Sequence, residues 1–191
     1  MEKDRPSIYR YFSKMRGANK SPPRVNLSEI IWSWIGAFLG IAAVSYINYN
    51  IIEGTDLVMV IGAFGASAVL IYGAIKSPLA QPRNLIGGHI ISAVVGVTCY
   101  KLFPSQIWLA SSPAIATAIA IMHATKTLHP PGGATALITV IGSNKIHSLG
   151  YLYTIIPAGL GAVIMLVVAL LIKQYTKEPQ ISRFLDVISM K

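Results

Sequence analysis

The histidines at positions 89 and 129 are the residues of this chain best placed for anion or proton chemistry, because both fall at the edge of long uncharged stretches. An ionisable group inside a membrane is costly and marks function by default. His129 opens the run Pro130, Pro131, Gly132, Gly133, Ala134, Thr135. Proline lacks an N–H and disfavours a helical residue before it, so a preceding helix must end there. Gly132 and Gly133 permit close approach of a ligand. A helix restarting at Ala134 turns its first N–H groups and the positive end of its dipole outward. That is an anion site built from main chain, to which Thr135 adds a hydroxyl.

A second stretch repeats the pattern. Gly65, Ala66, Ser67 and Ala68 precede an apolar run, as Gly133, Ala134, Thr135 and Ala136 do later in the chain. The stretch Gly62 to Ser67 therefore predicts another half-helix start, this one without proline. Two such starts approaching from opposite sides would hold an anion between them near the midplane. Plain helix packing by small residues is the competing reading of these glycines. His129, His89, Lys126 and Arg83 would supply positive potential along the route, with Arg83, Asn84 and Lys126 at its entry. His123 could simply satisfy a backbone carbonyl, and His147 falls in a loop and is expected to be solvated.

Other chemistries find little support. The histidines lie on separate elements without zinc-ligand spacing, and the single cysteine, Cys99, offers neither a disulfide nor a metal cluster. Ser67 and Thr135 have no base and carboxylate nearby in sequence, so no nucleophile is activated and no enzyme is expected. Neither cofactor nor metal is expected. The net charge of +9 could indicate nucleic acid, but seven of the 16 basic residues precede the first apolar run and four follow the last. That clustering fits membrane topology, in which Lys and Arg collect on the cytoplasmic side.

The elements that must position these residues are membrane spans. Hydrophobic residues make up 53% of the chain and charged ones 12%, about half the charge of an ordinary soluble domain. Spans are expected at residues 30–49, 57–75, 85–103, 106–128 and 148–172, with a shorter apolar stretch at 134–141. Residues 1–28 read as a basic cytoplasmic arm, with an interfacial helix around Ile8, Tyr11, Phe12 and Met15, and residues 173–191 as a cytoplasmic tail. Both termini lie inside only if the short stretch completes a sixth crossing, and the charge pattern favours six passes over five. Three elements per half (30–103 and 106–172) make the second half inverted relative to the first, as in many transporters. The predicted fold is an all-α, six-pass bundle of two inverted three-helix repeats, with broken helices at 62–67 and 129–134. Its small size favours a homodimer or homotrimer.

LHPPGGATAL (128–137), GASAVL (65–70) and SPLAQPRNLIGGH (77–89) together resemble the HPP family of integral membrane proteins over residues 30–172. Members from cyanobacteria and chloroplasts are described as nitrite transporters. The resemblance thus implies a small monovalent anion as substrate, nitrite first, and a bacterial inner membrane of cyanobacterial type. Some relatives carry appended CBS modules, for which this chain has no room. An anion channel and a non-transporting scaffold are the alternative functions.

Overall fold

A computed structural model describes Ile8, Phe12 and residues 24–52 and 58–173, which are helical wherever they are regular. The arm and the tail lie largely outside these residues. Of the expected interfacial helix, Ile8 and Phe12 alone are described, both helical and exposed.

Helix α1 (Leu27–Tyr46) is capped by Asn26, whose side chain accepts from the Glu29 N–H at 2.8 Å, and ends in a wider turn, Ile47–Ile51. Helix α2 (Gly62–Ala68) widens in the same way over Val69–Gly73. After a 3₁₀ turn at Pro78–Ala80 come α3 (Pro82–Leu102) and α4 (Ile107–Ala124). Then follow α5 (Pro130–Ile141), which starts at Pro130 and not at the expected Ala134 because proline fits a first helical turn, the short α6 (Asn144–Leu149) and α7 (Leu160–Lys173). The turns leading into α7, Thr154–Gly159, break at Ile156, whose angles are non-helical before Pro157.

Four stretches have the length and apolarity to cross a membrane: Leu27–Ile51, Pro82–Leu102, Ile107–Ala124 and Thr154–Ile172. The span expected at 57–75 is corrected. Its helix runs only from Gly62 to Gly73, about 18 Å at 1.5 Å per residue, against a bilayer core of about 30 Å. Residues 58–61 enter it as non-helical chain, with Ile61 extended. The amide of Asn48 supports this lead-in, its Oδ1 accepting from the N–H groups of Met59 (2.8 Å) and Val60 (3.2 Å). Main-chain donors within a membrane need such partners. The two short helices are therefore of one kind. Pro130–Ile141 follows Gly62–Gly73 at the same interval, at both ends, as Thr135 follows Ser67.

Contacts fix the directions of the six apolar elements. Ser33 donates to the Tyr72 carbonyl, while Asn48 holds Met59, so α1 and the α2 segment are antiparallel. Arg83 reaches Thr125, and Ser92 reaches Met122, so α3 and α4 are antiparallel. The α3 glycines 88 and 96 lie against His129 and Ala136, making α3 and α5 parallel. Tyr72 donates to the Met165 carbonyl, and Glu29 and Trp32 share a groove with Ala169 and Ile172, so α7 returns to the end where α1 began. The elements alternate, and Arg24 and Lys173 share one end of the bundle. The turn bearing Lys126 lies there too, whereas Lys101 lies with Tyr151 at the other end.

The halves interlock through small residues. On α3, Gly88, Ser92 and Gly96 recur at every fourth position. A Cβ at Gly88 would strike the side chain of His129, and one at Gly96 the main chain of Ala136 and the Thr139 hydroxyl. This spacing lets helix backbones come close in a membrane, where packing replaces the hydrophobic drive. The α4 residues Ala110, Ala114, Ala118 and Met122 are buried at the same period.

Candidate functional site

Where α2, α3 and α5 meet, four side chains that are 0% exposed form one hydrogen-bonded chain: Ser67, His89, His129 and Thr135. The Ser67 hydroxyl lies 2.8 Å from His89 Nε2 and 3.0 Å from His129 Nε2. His89 Nδ1 lies 2.7 Å from the Thr135 hydroxyl, and His129 Nδ1 lies 3.0 Å from the carbonyl of Leu79.

Local structure aims each of these groups. His89 stands two turns into α3, where Gly88 lets that helix press against the start of α5. Phe64 meets the His89 ring edge-on, with centroids 5.2 Å apart, and the two imidazoles meet at 5.2 Å and 62°. Phe64 is itself held against Gly161 of α7. His129 is the residue before Pro130 and so is kept extended, at φ −138° and ψ 104°. That places its ring beside Ser67 rather than along the α5 axis.

The carbonyl of Leu79 can only accept, so His129 Nδ1 carries a hydrogen. With neutral rings, His129 Nε2 is then a bare lone pair and takes the hydrogen of Ser67. The Ser67 oxygen in turn accepts from His89 Nε2–H, and His89 Nδ1 takes the Thr135 hydrogen. Turning the Thr135 hydrogen to the Pro131 carbonyl instead, at a longer 3.4 Å, would leave both rings competing for the single Ser67 hydrogen. One terminal acceptor thus sets both tautomers and both hydroxyl orientations. Every polar side-chain atom of these four residues has a partner, as burial demands.

The other predicted residues sit differently. Gly65 and Ala66 face outward from α2, and Gly133 and Ala134 are partly exposed on α5; a Cβ at Gly65 or Gly133 would meet nothing within 4 Å. Pro130 is exposed, whereas Pro131 and Gly132 pack inward. The two helix starts do not converge. Gly62 lies beside Ile138 and Ser67 beside His129, so α2 and α5 overlap side by side and antiparallel. The start of α5 also offers little bare main chain, because two of its first residues are prolines and the Gly132 N–H bonds the His129 carbonyl at 2.8 Å.

Near the start of α3, Arg83 donates to the Thr125 carbonyl at 2.6 Å and Asn84 to that of Leu128 at 2.8 Å. Both are fastened to the turn between α4 and α5, Arg83 at the C-cap of α4, whose carbonyl has no partner within the helix, and Asn84 at the residue before His129. Lys126 is exposed in that turn with φ 57°. His123 is exposed, and His147, expected in solvent, is half-buried, stacked on Tyr100 at 3.8 Å and bonded to the Val140 carbonyl. Sequence reading missed Phe64, the Leu79 carbonyl and Asn48. Only Asn48, an amide near the end of an apolar run, leaves a signal in the sequence.

Residues 22–181 match the family model described as HPP, transmembrane region. Two Dictyostelium discoideum proteins, each named only as a transmembrane protein, are 43% and 41% identical over 88% and 90% of this chain. The chain spans 55% and 61% of their respective lengths. No solved structure gives a significant match. By the extent of that match, the chain belongs to the HPP family of multi-pass membrane proteins.

Proposed function

We propose that this chain carries a small monovalent anion across the membrane, with nitrite as the first candidate from the family resemblance. The observation that carries the reading is a buried imidazole, His89, held between hydroxyls supplied by the two short helices. Broken or short apolar segments at corresponding positions of two halves mark the binding region of many transporters. Intramembrane ionisable residues mark the path.

In this reading the six alternating elements are six passes of two inverted halves. Both ends lie on the cytoplasmic side, to which Arg24, Lys76, Arg83 and Lys126 belong by the positive-inside rule. The small size of the bundle favours self-association into a homodimer or homotrimer. The named relatives are eukaryotic, and the proposal is not tied to a bacterial membrane.

The test is nitrite flux into proteoliposomes. Purified protein is expected to raise uptake above that of empty vesicles, and Thr135→Val to reduce it at least tenfold without loss of folded protein. Flux equal to that of empty vesicles defeats the proposal. One observation favours a non-transporting scaffold instead: the polar chain is satisfied without any ligand. A scaffold predicts that no small anion raises the melting temperature, whereas a bound substrate would raise it by mass action.

A further inference from the structure

We infer that the anion binds together with one proton, so that the Ser67–His89–His129–Thr135 chain couples anion movement to proton movement and the loaded site is electrically neutral. This rests on the anion-transport reading above and extends it. It follows from the number of hydrogens the four side chains hold. In the neutral chain Thr135 donates to His89, His89 to Ser67, Ser67 to His129 and His129 to the carbonyl of Leu79. No hydrogen is left to offer an anion, and none of the four side chains is charged.

One added proton changes this at either imidazole. Protonation of His129 Nε2 makes that nitrogen a donor to Ser67, whose oxygen then accepts from both rings and whose own hydrogen is released. Protonation of His89 Nδ1 reverses its bond to Thr135, and the Thr135 hydrogen is released. Either event creates one free hydroxyl donor beside one positive ring. That supplies the donor and the charge one monovalent anion needs, and the donor arises on Ser67 or Thr135, the equivalent residues of the two short helices. The same hydroxyls can take up the freed hydrogen bond when the proton leaves on the other side.

No other ionisable group described here neutralises the pair. The imidazoles face each other, 5.2 Å between centroids. On the elements packed around them, the Tyr72 hydroxyl is spent on the Met165 carbonyl, Arg83 on Thr125, and Lys101 lies over Tyr151 at the far end. Tyr153 is buried in the apolar core, Cys99 lies on the α4 side of α3, and Lys126 and His123 are exposed. Among the described residues the one carboxylate is that of Glu29, which lines the groove beside Ala169 and Ile172 at the end of the bundle. An imidazolium at this site therefore has no carboxylate among the described residues to balance it. A buried charge without a counter-ion is costly, so proton and anion each favour the binding of the other.

The experiment is titration calorimetry of the purified full chain with sodium nitrite in buffers of different ionisation enthalpy, whose slope gives the protons taken up per anion bound. Uptake of about one proton per nitrite is expected, from the single lone pair that must be filled to free a hydroxyl. Thr135→Ser should keep both affinity and stoichiometry, while Thr135→Val should weaken binding at least tenfold. In proteoliposomes an inward nitrite gradient should acidify the lumen faster than in empty vesicles, at a rate indifferent to an imposed potassium diffusion potential. Nitrite binding without proton uptake, or uptake driven by membrane potential, overturns the coupling and leaves the transport reading intact. Absence of any nitrite binding overturns both.

Discussion

Ser67 and Thr135 stand at the same place in the two short helices and hydrogen-bond to opposite nitrogens of one imidazole, that of His89, at 2.8 Å and 2.7 Å. The histidine of α3 is thus the piece that joins the halves at their equivalent points. Half one supplies Ser67 and His89, and half two supplies Thr135 and His129, so the polar chain exists only when the halves are assembled. This explains how four buried polar groups are tolerated in so small a bundle: each half satisfies the other.

The chain should therefore lose stability when its central link is cut. Ser67→Ala leaves His129 Nε2 without a donor and His89 Nε2–H without an acceptor, both buried. An unsatisfied buried group costs about 1–3 kcal/mol, and a melting temperature lowered by several degrees in detergent is expected. An unchanged melting temperature would mean that these bonds are not formed in the folded protein.

The glycines should divide into two classes. Gly96→Ala drives a methyl group into the main chain of Ala136, which cannot move aside as a flexible side chain could; overpacking of this kind costs about 1–3 kcal/mol. Gly65→Ala meets nothing within 4 Å and exchanges a poor helix former for the best, a difference of about 1 kcal/mol. Thermal denaturation of the two variants should move in opposite directions. Strong destabilisation by Gly65→Ala would instead show that another chain packs on that face.

Much of this was legible in the residues. The proline pair ends the preceding helix as its chemistry requires, but the new helix starts at Pro130 and not at Ala134, because proline's fixed φ suits a first helical turn; the echo of Gly65–Ala68 in Gly133–Ala136 placed two hydroxyls in equivalent positions. The helix start at Gly62 was legible in its small residues, but the non-helical path of Val58 to Ile61 was not, since these residues are equally apolar as helix or as extended chain and only the Asn48 amide distinguishes the two. Nor could the Leu79 carbonyl be foreseen, because main-chain acceptors carry no sequence signature. The partners of Arg83 and Asn84 were hidden for the same reason, since each side chain donates to a main-chain carbonyl of the turn between α4 and α5.

The alternation of the six elements predicts which positions share a face of the membrane. In a Cys99→Ala background, Lys126→Cys and Lys76→Cys should react with an impermeant maleimide from the side that bears the N-terminus. Lys101→Cys and Lys145→Cys should react from the opposite side. Labelling of Lys126→Cys and Lys145→Cys from the same side would show that α5 does not carry the chain across, and five passes would replace six.

Tyr72 provides a test of packing between α1 and α7 that is independent of the polar chain. Its ring lies against Gly36 and its hydroxyl against Gly40, while the hydroxyl donates to the Met165 carbonyl at 2.9 Å. Tyr72→Phe removes that bond and should cost about 0.5–1.5 kcal/mol. Gly40→Ala places a methyl group on the hydroxyl oxygen and should cost more, since either the ring or α1 must shift. The two losses should not add, because the atom that Gly40→Ala collides with is the one that Tyr72→Phe deletes. Neighbouring sites that share a partner deviate from additivity by about 0.5–3 kcal/mol, so the double variant is expected to be more stable than the sum of the single effects predicts. Strict additivity in a thermal or denaturant series would place the Tyr72 hydroxyl away from Gly40 and would remove the contact that fixes α1 against α7.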